Sequence, residues 1–165
     1  MHSAIGIHVD APPELVYRLA RDVTAWADLL PHYARSRVVE TRPDGSRVVD
    51  FIARRPFVPV LGLGLPVTWR ARTWHEPATR RLRFVHVAGA TKGMDVTWRI
   101  EPKDAAGRTC RITIEHDFTP AIPGFAAFVD RVFTTAIAGR TLATFGALAE
   151  AVATLESATP PTANP

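Results

Sequence analysis

Residues 125–156 read FAAFVDRVFTTAIAGRTLATFGALAEAVATLE, and this stretch decides the fold. Phe125, Phe128, Val132, Phe133, Ala136, Leu142, Phe145, Leu148 and Val152 recur at spacings of three and four, which lays one apolar face along a single long helix. Gly139 is a weak position in it, read as permitting close packing in preference to a hinge. A helix with such a face must bury it against another layer. What precedes it in the chain is mostly strand-like.

Working backwards, Thr109–Phe118, Met94–Glu101, Arg81–Ala88 and Val67–Glu76 alternate apolar and polar residues, with short turn-rich segments at 103–108, 89–93 and 77–80 between them. Arg47–Ala53 and Arg35–Thr41 flank the turn Pro43-Asp44-Gly45. Such short connections imply antiparallel neighbours. Ser3–Val9 reads as a first strand. A helix follows that Asp10 is expected to cap, with Pro12, Pro13 and Glu14 in its first turn, and it runs to about Arg21. A second short helix, Trp26–Leu30, stops at Pro31. The expected architecture is α+β: a seven-stranded curved antiparallel sheet wrapped around the long C-terminal helix, with two short helices after the first strand. One domain spans 1–156, and the Pro-, Thr- and Ala-rich tail 157–165 is expected to be disordered.

The bulk properties fit this. At 165 residues, 47% apolar and 22% charged, the chain has the make-up of one soluble globular domain. No apolar run reaches the roughly 18–20 residues that span a bilayer. Met1–Val9 alternates instead of building a signal core, so a cytoplasmic location is expected. Cys110 is the only cysteine and can form no internal disulfide. The net charge of +4 is carried almost wholly by dispersed arginines, with Lys92 and Lys103 the only lysines. Such a bias fits a GC-rich bacterial genome better than a nucleic-acid-binding stripe, and no nucleic-acid partner is expected.

Strand phase selects the residues that face the helix. With arginines and carboxylates turned to solvent, the inward sets are Val67, Trp69, Ala71, Thr73 and His75; Leu82, Phe84, His86 and Ala88; Met94, Val96, Trp98 and Ile100; and Cys110, Ile112, Ile114, His116 and Phe118. Three of the six histidines therefore share a concave face with tryptophans. Tight turns would put His86 opposite about Asp95, and Asp95 opposite about Glu115. His86 and His116 then lie at one end of the sheet, about 10 Å apart at two strand spacings, with His75 at the other end. That separation is too wide for one zinc ion held at about 2 Å, so neither a metal nor another cofactor is expected.

Pro56–Pro66, PFVPVLGLGLP, has glycines but none of the residues of a phosphate loop. It reads as an apolar loop that could cover the mouth of a pocket, touch a membrane transiently or meet a second copy. Monomer and homodimer both stay open.

Ala11-Pro12-Pro13-Glu14-Leu15-Val16-Tyr17, Asp22-Val23-Thr24-Ala25-Trp26, Leu30-Pro31-His32-Tyr33 and Arg37-Val38-Val39-Glu40 resemble the opening of the START-like (SRPBCC, helix-grip) superfamily, over about residues 3–155. The closest branch is that of the polyketide cyclases/dehydrases. The resemblance implies a deep cavity between sheet and helix for a hydrophobic, aromatic or polyketide-like small molecule. It matches Trp26 and Tyr33 to the aromatic positions of the opening motif and Trp69 to a strand position. In aromatase/cyclases an arginine stands on the fourth strand, where this chain has His75.

The ligand-binding set expected is Trp26, Tyr33, Trp69, His75, Phe84, Met94, Trp98 and Phe118. If the protein is a cofactor-free cyclase or dehydratase, His86 and His116 are the candidates for proton transfer. The alternative is a non-catalytic carrier or chaperone of a lipid or quinone.

Overall fold

The computed structural model describes residues 1–58, 63–120, 122 and 124–158. Strand β1 (His2–Val9) leads into helix α1 (Pro13–Arg21), a 3-10 turn at Val23–Ala25 and the short helix α2 (Trp26–Leu29). Strands β2 (Tyr33–Thr41), β3 (Arg47–Val58), β4 (Leu63–Glu76), β5 (Arg81–Gly89), β6 (Asp95–Pro102) and β7 (Cys110–Asp117) follow. The C-terminal helical run comprises α3 (Phe125–Val129), a π-helical segment Asp130–Ala138 and α4 (Gly139–Ala158). The seven strands form one antiparallel sheet in the order β1-β7-β6-β5-β4-β3-β2, and α4 packs on β1 and α1 in the helix-grip arrangement. Among the described residues no helix is long and apolar enough to cross a membrane.

Local chemistry explains the joints. Helix α1 begins with Pro13 at its first position, where the missing N–H costs nothing. Asp10 does not cap it. Its backbone N–H instead donates to Glu150 Oε1 of α4 at 3.0 Å. Gly139 and Gly146 let α4 lie against β1: a β-carbon on Gly139 would stand 3.3 Å from Ile5 Cδ1, and one on Gly146 2.8 Å from Ile7 Cδ1.

Beyond the start of α1, the structure revises four further expectations about the elements themselves. The C-terminal helix is not uniformly α: nine residues, Asp130–Ala138, take the wider π geometry just before Gly139. The apolar stretch 56–66 is not a free loop up to its tip, because β3 and β4 continue through it with Arg54 opposite Pro66 and Pro56 opposite Gly64. Its tip, 59–62, lies outside the described residues, as do 159–165 of the tail; Ser157 and Ala158 close α4.

The third revision is in register. Val85 lies opposite Asp95, and Asp95 opposite Asp117, so His86 is bonded across to Met94 (Met94 O accepts from His86 N–H at 2.9 Å). Residues directly opposite in an antiparallel pair project to the same face. Inward His86 must therefore face inward Met94, not outward Asp95. Finally, Ala88 is exposed: a bulge in β5 pairs Ala71 with His86 but Arg70 with Ala88, which turns Ala88 to the outer face.

That outer face is a ladder of paired charges. Arg70 meets Asp50 at 2.5 Å, Arg72 meets Asp44 at 2.6 Å and Arg99 meets Glu115 at 2.8 Å, while Arg72 and Arg83 flank the Trp74 ring.

Candidate functional site

The inner face of the sheet closes against the C-terminal run around a small aromatic chamber. Trp26, from α2, stands at its centre, with ring centroids of Trp98 at 5.1 Å, Tyr33 at 5.5 Å, Phe84 at 5.7 Å, Phe51 at 5.9 Å and Phe145 at 6.0 Å. Its indole N–H donates to Ala20 O at 3.0 Å, which fixes the ring from the α1 side. Phe51 stacks on Trp69 at 5.2 Å and 16°. Ile137, Ala138 and Thr141 close the chamber on the helix side, at the end of the π segment.

The enclosed volume is about 40 Å³. Sites for small organic ligands usually offer about 300–1,000 Å³. The deep cavity that the sequence led us to expect is thus filled by the rings themselves: the alternating tryptophans and phenylalanines interdigitate across it.

Polar groups enter this apolar space at a few points. His86 is 3% exposed, its ring stacked on Trp69 at 6.1 Å and its Nδ1 2.6 Å from Thr91 Oγ1. Burial, and then the nearby His116, lower its pKa to about 3. Burial lowers that of His116 to about 4 against the opposing pull of Asp130 and Asp117, and His116 Nδ1 is buried with no hydrogen-bond partner. His32, also buried, has its Nε2 2.9 Å from Thr141 Oγ1 and its pKa lowered to about 4 by burial and then Arg140. Thr141 donates its own proton to Ile137 O at 2.8 Å, so it accepts from His32 Nε2–H, leaving Nδ1 of that ring without a partner. Burial also raises the Tyr33 phenol well above its ordinary pKa, a hydrogen bond with Thr141 opposing it. All of these groups are neutral at pH 7. Among the described residues no arginine and no carboxylate lines the chamber.

Of the residues singled out in the sequence, Trp26, Tyr33, Trp69, Phe84, His86, Trp98 and His116 come together on the chamber wall. Met94 and Phe118 are buried but stand off it, Phe118 packing edge-on against Phe125 at 6.5 Å. His75 keeps the inward phase of β4 yet is exposed at the strand end, where its Nδ1 lies 2.7 Å from the Tyr17 hydroxyl. It therefore lies outside the chamber, in a cleft of about 600 Å³ lined also by Arg18, Arg21, Arg47 and Phe84. Sequence reading missed Phe51, His32 and Thr141. Phe51 was within reach, since Val49, Phe51 and Ala53 share one face of β3 while Asp50 and Arg54 mark the other, whereas Thr141 carries no signal before the helix is docked.

The family described as polyketide cyclase/dehydrase and lipid transport matches residues 9–143. Among solved structures, the chain is similar to the Zhui aromatase/cyclase from Streptomyces sp. R1128, with a TM-score of 0.70 and 20% identity over 91% of this chain and 93% of that one. It is similar to BexL, a di-domain ARO/CYC protein of the BE-7585A biosynthetic pathway, with a TM-score of 0.68 and 26% identity over 89% of this chain and 45% of that longer one. It is also similar to a START superfamily protein from Mycobacterium smegmatis, with a TM-score of 0.63 and 14% identity over 94% and 98% of the two chains. No curated protein matches it in sequence.

Proposed function

Because the chain belongs to the polyketide cyclase/dehydrase and lipid transport family, we propose that it binds a flat, hydrophobic, aromatic or polyketide-like molecule between the rings of its inner chamber. The observation that carries this reading is the wall itself: Trp26, Tyr33, Trp69, Phe84 and Trp98 line it together with His116, whose buried Nδ1 lacks a protein partner. Unpaired polar atoms in an apolar interior cost free energy unless something bonds them. A carbonyl or hydroxyl of a ligand suits His116, whose neutral ring can donate or accept according to its tautomer. At about 40 Å³ the chamber must open to admit such a molecule, and the π segment ending at Ala138 is the part of its wall where the helix departs from α geometry.

Binding without chemistry is favoured over cyclisation or dehydration. A proton-transfer catalyst works best with a pKa near the operating pH. His86 at about 3 and His116 at about 4 are weak bases there, and among the described residues no carboxylate lines the chamber beside them. The arginine expected in aromatase/cyclases is replaced by His75, which stands outside the chamber. The cyclase reading is the second one, and the similarity to BexL and Zhui supports it.

Native mass spectrometry of the purified protein, joined to tryptophan-fluorescence titration with flat apolar compounds, tests the proposal. A co-purified apolar ligand, or saturable quenching that weakens on Trp98→Ala, is expected. If nothing co-purifies and no such compound quenches saturably, the chamber is only a core.

A further inference from the structure

A preformed space beside the chamber is not apolar throughout. The cleft of about 600 Å³ lies between the end of α1, the Val23–Ala25 turn and the ends of β3, β4 and β5. Its floor is apolar: Val23, Leu82 and Phe84 are 5%, 2% and 5% exposed. Its rim is cationic, with Arg18, Arg21 and Arg47. Arg18 is engaged by Glu156 at 2.6 Å, but Arg21 and Arg47 have no ion pair among the described residues. The one carboxylate of the lining, Asp22, turns its Oδ1 to the Thr24 N–H at 3.2 Å and hydroxyl at 2.5 Å, capping the 3-10 turn, so the three rim arginines outnumber it. The Arg21 guanidinium lies over the Tyr17 ring, 6.0 Å from its centroid, and His75 shares the lining; burial, then Arg21 and Arg47, hold its pKa below the ordinary value.

Two guanidiniums without a carboxylate partner, over a low-dielectric floor, focus a positive potential into the cleft. Guanidinium matches the geometry of carboxylate and phosphate oxygens better than any other side chain does. Phe84 lines both the cleft and the inner chamber, so the floor of one is the wall of the other. We infer that this cleft is an oxyanion-binding vestibule: Arg21 and Arg47 hold the carboxylate or phosphate end of an amphiphilic ligand, and its apolar part lies against Phe84. The anion site stands on the cleft alone. Passage of the apolar part into the chamber rests on the binding reading given above.

The test compares three probes that share one aromatic tail, pyrenebutyrate, pyrenebutyl phosphate and the neutral pyrenebutanol, by fluorescence titration at low salt. Each acid is expected to bind about tenfold tighter than the alcohol, the effect of one or two charge-assisted hydrogen bonds, and added salt should shrink that advantage. The double variant Arg21→Ala/Arg47→Ala should lose the advantage while keeping its affinity for pyrenebutanol. Arg111→Ala, which removes an arginine outside the cleft, should keep both. Whichever acid gains more names the head group. Inorganic pyrophosphate, followed by NMR shifts of the Arg21 and Arg47 side chains, probes the anion site without a tail. Equal binding of acids and alcohol, an advantage that survives the double variant, or its equal loss in Arg111→Ala overturns the vestibule and leaves the chamber reading intact. If no pyrene compound binds but pyrophosphate shifts both arginines, the chamber reading falls and the anion site stands. If neither binds, both fall.

Discussion

The ring of His86 lies on the ring of Trp69, 6.1 Å between centroids and 16° from parallel. A stack of this kind seals the imidazole from water on one face. With Thr91 on its Nδ1 and the sheet around it, the ring stays neutral down to a pKa of about 3, while His32 and His116 titrate at about 4. An unfolded histidine titrates near about 6.5. Below that pH the unfolded chain takes up protons that the folded chain refuses, so stability falls as pH falls. The slope is about 1.4 kcal/mol per pH unit for each of the three histidines, until the folded-state values are reached. Denaturant unfolding at pH 7 and pH 5 should show the loss, and His86→Phe should make it shallower. NMR titration of the rings is the direct check: midpoints near 6.5 for all three would sink the assignment.

Trp26 is the hub of the chamber, and its N–H bond to Ala20 O is buried. Trp26→Phe keeps a ring there but leaves that carbonyl without its donor and a void where the indole was. The cost should be roughly 2–4 kcal/mol, a large share of the usual stability of a domain this size. Urea denaturation measures it; a change below about 1 kcal/mol would mean that neighbouring rings move in to fill the space.

Gly89 ends β5 with φ +94, and a β-carbon there would lie 3.0 Å from Thr68 O, a backbone atom that cannot step aside. Gly89→Ala should therefore destabilise by about 1–3 kcal/mol. The turn it begins carries Thr91, so the His86 ring resonances should shift as well. Gly93, also at positive φ but with nothing within 4 Å of its would-be β-carbon, should tolerate alanine better. Equal losses at the two glycines would show that φ alone, and not the contact with Thr68, sets the cost.

Much of this site was legible in the chain because period-2 alternation fixes which face a strand residue takes. Trp69, Phe84, Trp98, His86 and His116 were placed inward on that ground, and the structure puts all five on the chamber wall. What alternation cannot give is where the phase breaks. The bulge that exposes Ala88 and the turn that sets His86 opposite Met94 depend on backbone geometry at Gly89 and Gly93, both at positive φ. Volume was illegible for a different reason. The inward rings are the same whether they line a large cavity or fill it, and only their mutual distances separate the two cases. His75 shows the limit of phase itself: it points with the inward set but stands past the end of the helix cover, so it faces a cationic cleft.

Thr141 joins the helix to the histidines, accepting from His32 Nε2–H and donating to Ile137 O within the π segment. Thr141→Val keeps the shape and removes both bonds. His32 would then have neither ring nitrogen partnered inside a buried site, and the Ile137 carbonyl would lose its side-chain donor. The expected loss is about 2 kcal/mol, with Thr141→Ser restoring most of it. Because one of the two bonds anchors the wall that must move to open the chamber, the Val variant should also exchange the amide hydrogens of Asp130–Ala138 faster, and the Ser variant should not. A ligand-free Val variant as stable and as well protected as the parent would mean that the hydroxyl merely occupies space, and that the π segment is held by its packing alone.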